Sequence, residues 1–116
     1  TTLFRSALEN VYGNLVSMAE LAKVNNIKVI FCSVMPAYDF PWRPGMKPAD
    51  KVIQLNKWIK EYADKNGLTY VDYHSAMKDE RNGLPANLSK DGVHPTLEGY
   101  KIMEKIVLEA IHKTVK

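Results

Sequence analysis

The sequence predicts an α/β fold of three layers, α/β/α, with a parallel sheet between helices. Apolar residues recur at helical spacing in three stretches, residues 4–25, 48–66 and 97–112. Two short runs rich in β-branched and aromatic residues, 27–34 and 68–73, lie between them. The first run is apolar almost without a break, which marks a strand covered on both faces rather than one facing water. The order is therefore α-β-α-β-α: two parallel strands and three helices, joined by right-handed crossovers.

Each element has its own signals. Thr1 and Thr2 are N-cap residues for the first helix, whose inner face reads Phe4, Leu8, Val11, Leu15, Met18 and Ala22, ending near Asn25-Asn26. Gly13 within it costs about 1 kcal/mol against Ala. Ile27–Val34 is the first strand. Cys32 inside it reads as a buried core thiol with no partner for an internal disulfide, and it does not identify the compartment. Residues 35–47 form an irregular loop: Pro36, Pro41, Pro44 and Gly45 forbid regular structure, while Tyr38, Phe40 and Trp42 make it aromatic. The second helix runs from Pro48 to Asn66 with Val52, Leu55, Ile59 and Tyr62 inward and Gly67 as its stop. Leu68–Tyr73 is the second strand. A polar stretch follows, with a helical turn at 76–79, a stop at Asn82-Gly83 and anchors at Leu84 and Leu88. Thr96 caps the last helix, whose buried face reads Tyr100, Met103, Val107, Ala110 and Ile111.

Composition narrows the function classes. At 116 residues the chain is one domain or less, and 46% hydrophobic with 25% charged residues is ordinary for a globular protein. The net charge of +3 comes from scattered basic residues, several interleaved with Glu on the last helix, so no nucleic-acid patch is expected. No apolar run approaches the ~18 residues of a membrane-spanning helix.

The chemistry-bearing stretch is Lys90-Asp91-Gly92-Val93-His94-Pro95-Thr96. A glycine permits a tight bend and a proline ends it, so Asp91 and His94 can meet within one short loop. A carboxylate on one imidazole nitrogen fixes the tautomer and leaves the other nitrogen to take a proton from a nucleophile. Spacing alone also allows a plain turn. A metal site could use Asp91 and His94, but His74 is not a clear third ligand of the kind zinc wants. His74 competes as base, without a carboxylate in a comparable loop.

The longer string, Asp91-Gly92-Val93-His94-Pro95-Thr96-Leu97-Glu98-Gly99-Tyr100, resembles the last block of the SGNH, or GDSL-type, hydrolases. These are lipases, carbohydrate esterases and acylhydrolases akin to platelet-activating-factor acetylhydrolase. The resemblance implies a flavodoxin-like sheet of about five strands in the whole domain. It implies a Ser-His-Asp triad with His94 as general base and Asp91 as its orienting partner. It implies an acyl ester substrate, of a carbohydrate or a lipid, and no cofactor or metal. It places the loop at 35–47 beside the substrate cleft, with Met35, Pro36, Tyr38 and Trp42 as substrate-binding candidates. Read without it, the same loop is held down by its own aromatics, or serves a non-catalytic α/β module that binds a ligand there.

The family's Gly-Asp-Ser block, oxyanion-hole glycine and Gly-x-Asn-Asp block do not occur here. Ser6, Ser17, Ser33, Ser75, Ser89 and Cys32 each lack a nucleophile's setting. Residues 1–116 are thus expected to be the C-terminal part of a single domain whose nucleophile-bearing part lies upstream. Two strands also make a poor parallel sheet, so further sheet is expected from an upstream segment or another copy of the chain.

Overall fold

The computed structural model describes residues 6–115. Its elements are α1 (Ala7–Val24), β1 (Ile30–Cys32), α2 (Ala49–Lys65), β2 (Thr69–Val71), α3 (Tyr73–Met77) and α4 (Leu97–Thr114). The two strands pair in parallel, Ile30 with Thr69, Phe31 with Tyr70 and Cys32 with Val71. Ile30 and Phe31 are neighbours on a strand and point to opposite faces. Ile30 packs on a core of Val71, Tyr73, Met77, Leu84, Leu88 and Ala110, joined by Ile102 and Ile106 of α4. Phe31 meets Tyr62 of α2 edge-on, with ring centroids 6.0 Å apart. The sheet therefore lies between α4 and α2, the three layers that the element order predicts.

The predicted cap at Thr1 or Thr2 and the predicted inward Phe4 lie outside the described residues. Within them, Ser6 caps α1: its Oγ accepts from the Glu9 N–H at 3.1 Å while the Glu9 carboxylate accepts from the Ser6 N–H at 3.2 Å. The helix ends at Asn25, as its sequence predicts.

Five expectations are corrected. The first strand is three residues, not eight. The Leu68 N–H turns back to the Ala63 carbonyl, so β2 offers no partner before Ile30. Beyond Cys32, Ser33 donates to the Val71 carbonyl, and the Asn56 side-chain amide then takes both backbone groups of Val34, at 2.7 and 3.0 Å. A buried side chain stands where a further strand partner would be.

Cys32 is exposed, not buried, because this part of the sheet is not covered by the described residues. On α1, Tyr12 packs on Trp58 and Tyr62 of α2 and Ala19 is buried, whereas Val11 and Met18 of the predicted inner face are exposed, Met18 at 63%. Leu21, outside that face, is 66% exposed. The helix has two apolar sides and only one of them meets α2.

On α4, Tyr100 and Ile111 are exposed. The contact that sets the helix rotation is Gly99, where a Cβ would lie 2.9 Å from the Leu88 carbonyl oxygen and 3.0 Å from Pro95 Cβ. That close approach turns Gly99, Ile102, Met103, Ile106, Val107 and Ala110 inward, and Tyr100 and Ile111 fall to either side. The helical turn expected at 76–79 is instead α3, three residues earlier. The Asp72 side chain caps it by accepting from the Ser75 N–H at 3.0 Å.

Candidate active site

The loop between Leu88 and Thr96 is closed at its base. Ser89 and Pro95 form an antiparallel bridge, and the Thr96 N–H donates to the Leu88 carbonyl at 2.8 Å. Leu88 and Ser89 are buried, so both ends of the loop are anchored in the core. Gly92 has φ of +82°, a conformation other residues adopt only with strain. The chain turns there, and Asp91 and His94 come together.

One carboxylate organises the loop. Asp91 Oδ1 accepts from the His94 N–H at 2.8 Å, the Val93 N–H at 2.9 Å and the Ser89 hydroxyl at 3.1 Å. Oδ2 lies 2.6 Å from His94 Nδ1. The His94 backbone amide first, then its ring and the Val93 amide, hold the Asp91 carboxyl well below the usual carboxylate range. An ionised carboxylate only accepts, so Nδ1 carries the hydrogen. Nε2 has no hydrogen bond among the described residues, and the His94 side chain is 73% exposed. The arrangement is an oriented imidazole with its second nitrogen free to accept a proton.

Ser89, which has no nucleophile's setting in the sequence, is part of this assembly. Its hydroxyl donates to Asp91 and accepts from the Gly92 N–H at 2.9 Å, bracing the carboxylate and the turn together. A serine two residues before an aspartate that is itself followed by a glycine is the signal available.

The loop at 35–47 reaches the same place. Pro36 is fully buried and Met35 packs on the core, so these two candidates anchor the loop. Tyr38 lies under the Arg81 guanidinium, 4.4 Å from its ring centroid. Trp42 stacks on Phe40 with centroids 5.2 Å apart, and its own centroid is 6.0 Å from that of the His94 ring. Of the four candidates, Trp42 is brought beside His94.

Asp39, which the sequence reading passed over, pins the loop. It accepts from the N–H groups of Phe40, Gly45 and Lys47 at 2.9, 2.9 and 3.0 Å. The Gly45 and Lys47 amides foremost keep its carboxyl below the usual range. A hollow of about 280 Å³ between the two loops is lined by Tyr38, Asp39, Phe40, Arg81, Leu84 and Asp91, among others.

The other candidates fall elsewhere. His74 is buried on α3; its backbone N–H donates to Ser33 Oγ at 3.0 Å, and burial lowers its pKa. It lines a separate hollow with Asp72, Tyr70 and Asn56. Ser33 is buried, Ser6 caps α1, and Ser17 and Ser75 are exposed on helices. Among the described residues, no group of three or more His, Cys, Asp or Glu side chains is placed to hold a metal ion. No helix there is long and apolar enough to cross a membrane.

Known proteins resemble this chain in sequence and in fold. The chain is 29% identical over 85 residues to an acetylxylan esterase of Xylanibacter ruminicola, a match covering 72% of this chain and 16% of that protein. It superposes on the crystal structure of a GDSL-like lipase from Bacteroides thetaiotaomicron with a TM-score of 0.90 and 45% identity, covering 97% of this chain and 56% of that one. A structure from Bacteroides fragilis matches with a TM-score of 0.92 and 43% identity, over 98% of this chain and again 56% of the other. The chain thus spans about half the length of these solved structures. The model of the GDSL-like lipase/acylhydrolase family matches residues 2–102, and the chain belongs to that family.

Proposed function

We propose that this chain is the base-bearing part of a serine ester hydrolase. The observation that carries the reading is the 2.6 Å contact between Asp91 Oδ2 and His94 Nδ1, with Nε2 left free and exposed. In the complete domain a serine from outside these residues attacks the ester carbonyl carbon, and its proton passes to His94 Nε2. The tetrahedral intermediate collapses, the C–O bond to the alcohol breaks, and the imidazolium protonates the departing oxygen. Water then attacks the acyl-enzyme, His94 takes the water's proton and returns it to the serine oxygen, and the acid leaves. Asp91 keeps the ring oriented and stabilises its charged form throughout. The substrate is an acyl ester, and the likeness to an acetylxylan esterase favours an acetyl group on a carbohydrate.

The nucleophile and the remaining sheet belong, in this reading, to a segment equivalent to the part of the Bacteroides structures that this chain does not cover. The exposed apolar side of α1 and the short, open-edged sheet support this division. Met35, Pro36, Tyr38 and Trp42 are assigned to the substrate side of the site, Trp42 by contact and the others by shaping the loop.

The test is hydrolysis of p-nitrophenyl acetate by the domain with that segment restored. His94→Ala is expected to lower turnover roughly 10⁴-fold. Full activity in His94→Ala would remove His94 from the mechanism. Ligand binding without turnover in the wild-type domain would favour a non-catalytic module built on the loop at 35–47.

A further inference from the structure

Trp42 is the least economical residue of the loop at 35–47. It is a large apolar side chain, 61% exposed, on a segment that has been fixed in place rather than left to fold inward. Three backbone amides are tied to Asp39. The Arg81 guanidinium covers Tyr38. Gly83 leaves the Tyr38 backbone room, since a Cβ there would fall 2.7 Å from Tyr38 Cβ and 3.1 Å from its nitrogen. The indole is stacked on Phe40 with ring planes only 11° apart, which fixes its orientation and leaves its outer face flat. An aromatic surface held rigid in water, next to a catalytic base, is preorganised for a ligand face.

The shape of the surface selects that ligand. An acyl chain is best buried in a concave apolar slot, whereas these rings present a flat face. The adjoining hollow carries charged groups at Asp39, Arg81 and Asp91. A ligand that fits has a flat apolar face and hydrogen-bonding groups around its rim. Resting on the hydrolase reading above, we propose that the Phe40–Trp42 stack is a sugar-binding platform. It seats the pyranose ring of a carbohydrate ester so that the ester lies against His94, and so makes Trp42 the residue that sets preference for sugar esters over lipid esters.

The experiment uses the restored domain and three esters followed by acid release: glucose pentaacetate, ethyl acetate, which has no ring, and methyl octanoate, which has a longer chain. Trp42→Ala should lower kcat/KM on glucose pentaacetate at least tenfold more than on ethyl acetate, mainly through KM. Trp42→Tyr should recover most of the difference. Equal losses on the two acetates would mean that Trp42 only props His94, and would overturn the platform. So would a loss greatest on methyl octanoate, or no loss at all. Binding is read separately by titrating cellotriose against tryptophan emission in a Trp58→Phe background. Saturable quenching by the sugar supports the platform; the absence of quenching overturns it. Quenching without turnover of any ester would keep the platform and reject the hydrolase reading.

Discussion

The Asp91–His94 loop and the outer side of α1 are built on opposite terms. In the loop, Ser89, Asp91, Gly92, Val93 and His94 satisfy one another over six residues, and the ends are fixed in a core that includes Leu88. On α1, Met18 and Leu21 are patterned for burial and stand in water. The first region is complete in its own neighbourhood. The second meets no neighbour among the described residues, and on the reading proposed above the rest of the domain covers it. A tight polar loop can thus be locally encoded while the sheet behind it is not, because such a loop needs only near neighbours and a parallel sheet needs distant ones.

The sharpest way to break the comparison is to remove the charge that organises the loop. Asp91→Asn should lower turnover of the restored domain roughly 10³-fold or more, since the ring loses both its orienting acceptor and the charge that stabilises its protonated form. Steady-state kinetics on p-nitrophenyl acetate decide this, and a loss under tenfold would reduce Asp91 to a turn residue.

The α1 side should respond in opposite senses in two contexts. Met18→Gln with Leu21→Gln should leave the melting of the 116-residue chain unchanged and reduce its self-association. In the restored domain the same pair should destabilise by about 2–4 kcal/mol in urea denaturation, if both side chains become buried there. No destabilisation in the restored domain would mean that this side stays open.

Gly99 sharpens the boundary between loop and helix. In an exposed helix, Gly→Ala stabilises by roughly 0.5–1 kcal/mol. At Gly99 the added methyl meets the Leu88 carbonyl and Pro95, so destabilisation of about 1–3 kcal/mol is expected, measurable by thermal melting. A raised melting temperature would show that α4 can move away from the loop at no cost.

Ser89→Ala should have a smaller effect, roughly tenfold on turnover, because Asp91 keeps its bonds to His94 while the Gly92 N–H loses its acceptor. Smallest is the pH response. Asp91 has a folded-state pKa below its usual 3.8, so its stabilising contribution is present above the unfolded value and is lost only as pH falls through the depressed one. The Asp91 carboxyl carbon resonance should therefore stay flat from pH 6 down to about pH 3. A midpoint near the usual carboxylate value would mean that the loop's hydrogen bonds do not hold in solution.

Much of this was legible in the sequence. Asp91, Gly92, His94 and Pro95 specify their loop with local chemistry, and Leu84 and Leu88 were recognisable as anchors of the polar stretch before it. The layered fold followed from periodicity, and the family comparisons bear it out. What periodicity could not supply was which apolar side of a helix finds a neighbour. α1 carries two such sides, and α4 is rotated by the close approach of a glycine, a contact that leaves no apolar signature. The length of β1 was also hidden, because the Asn56 amide in place of a strand partner comes from 22 residues away in the chain. Asp39 and Ser89 were missed for a related reason: their value lies in the backbone amides they collect, which depend on the folded turn.

The most direct measurement is intact mass after treatment with a fluorophosphonate probe, on the 116-residue chain and on the restored domain, each with and without His94→Ala. The account predicts one adduct in the restored wild-type domain, on a serine outside residues 1–116, strongly slowed by His94→Ala, and none on the chain alone. An adduct on the 116-residue chain, or labelling of the restored domain at full rate without His94, would contradict it.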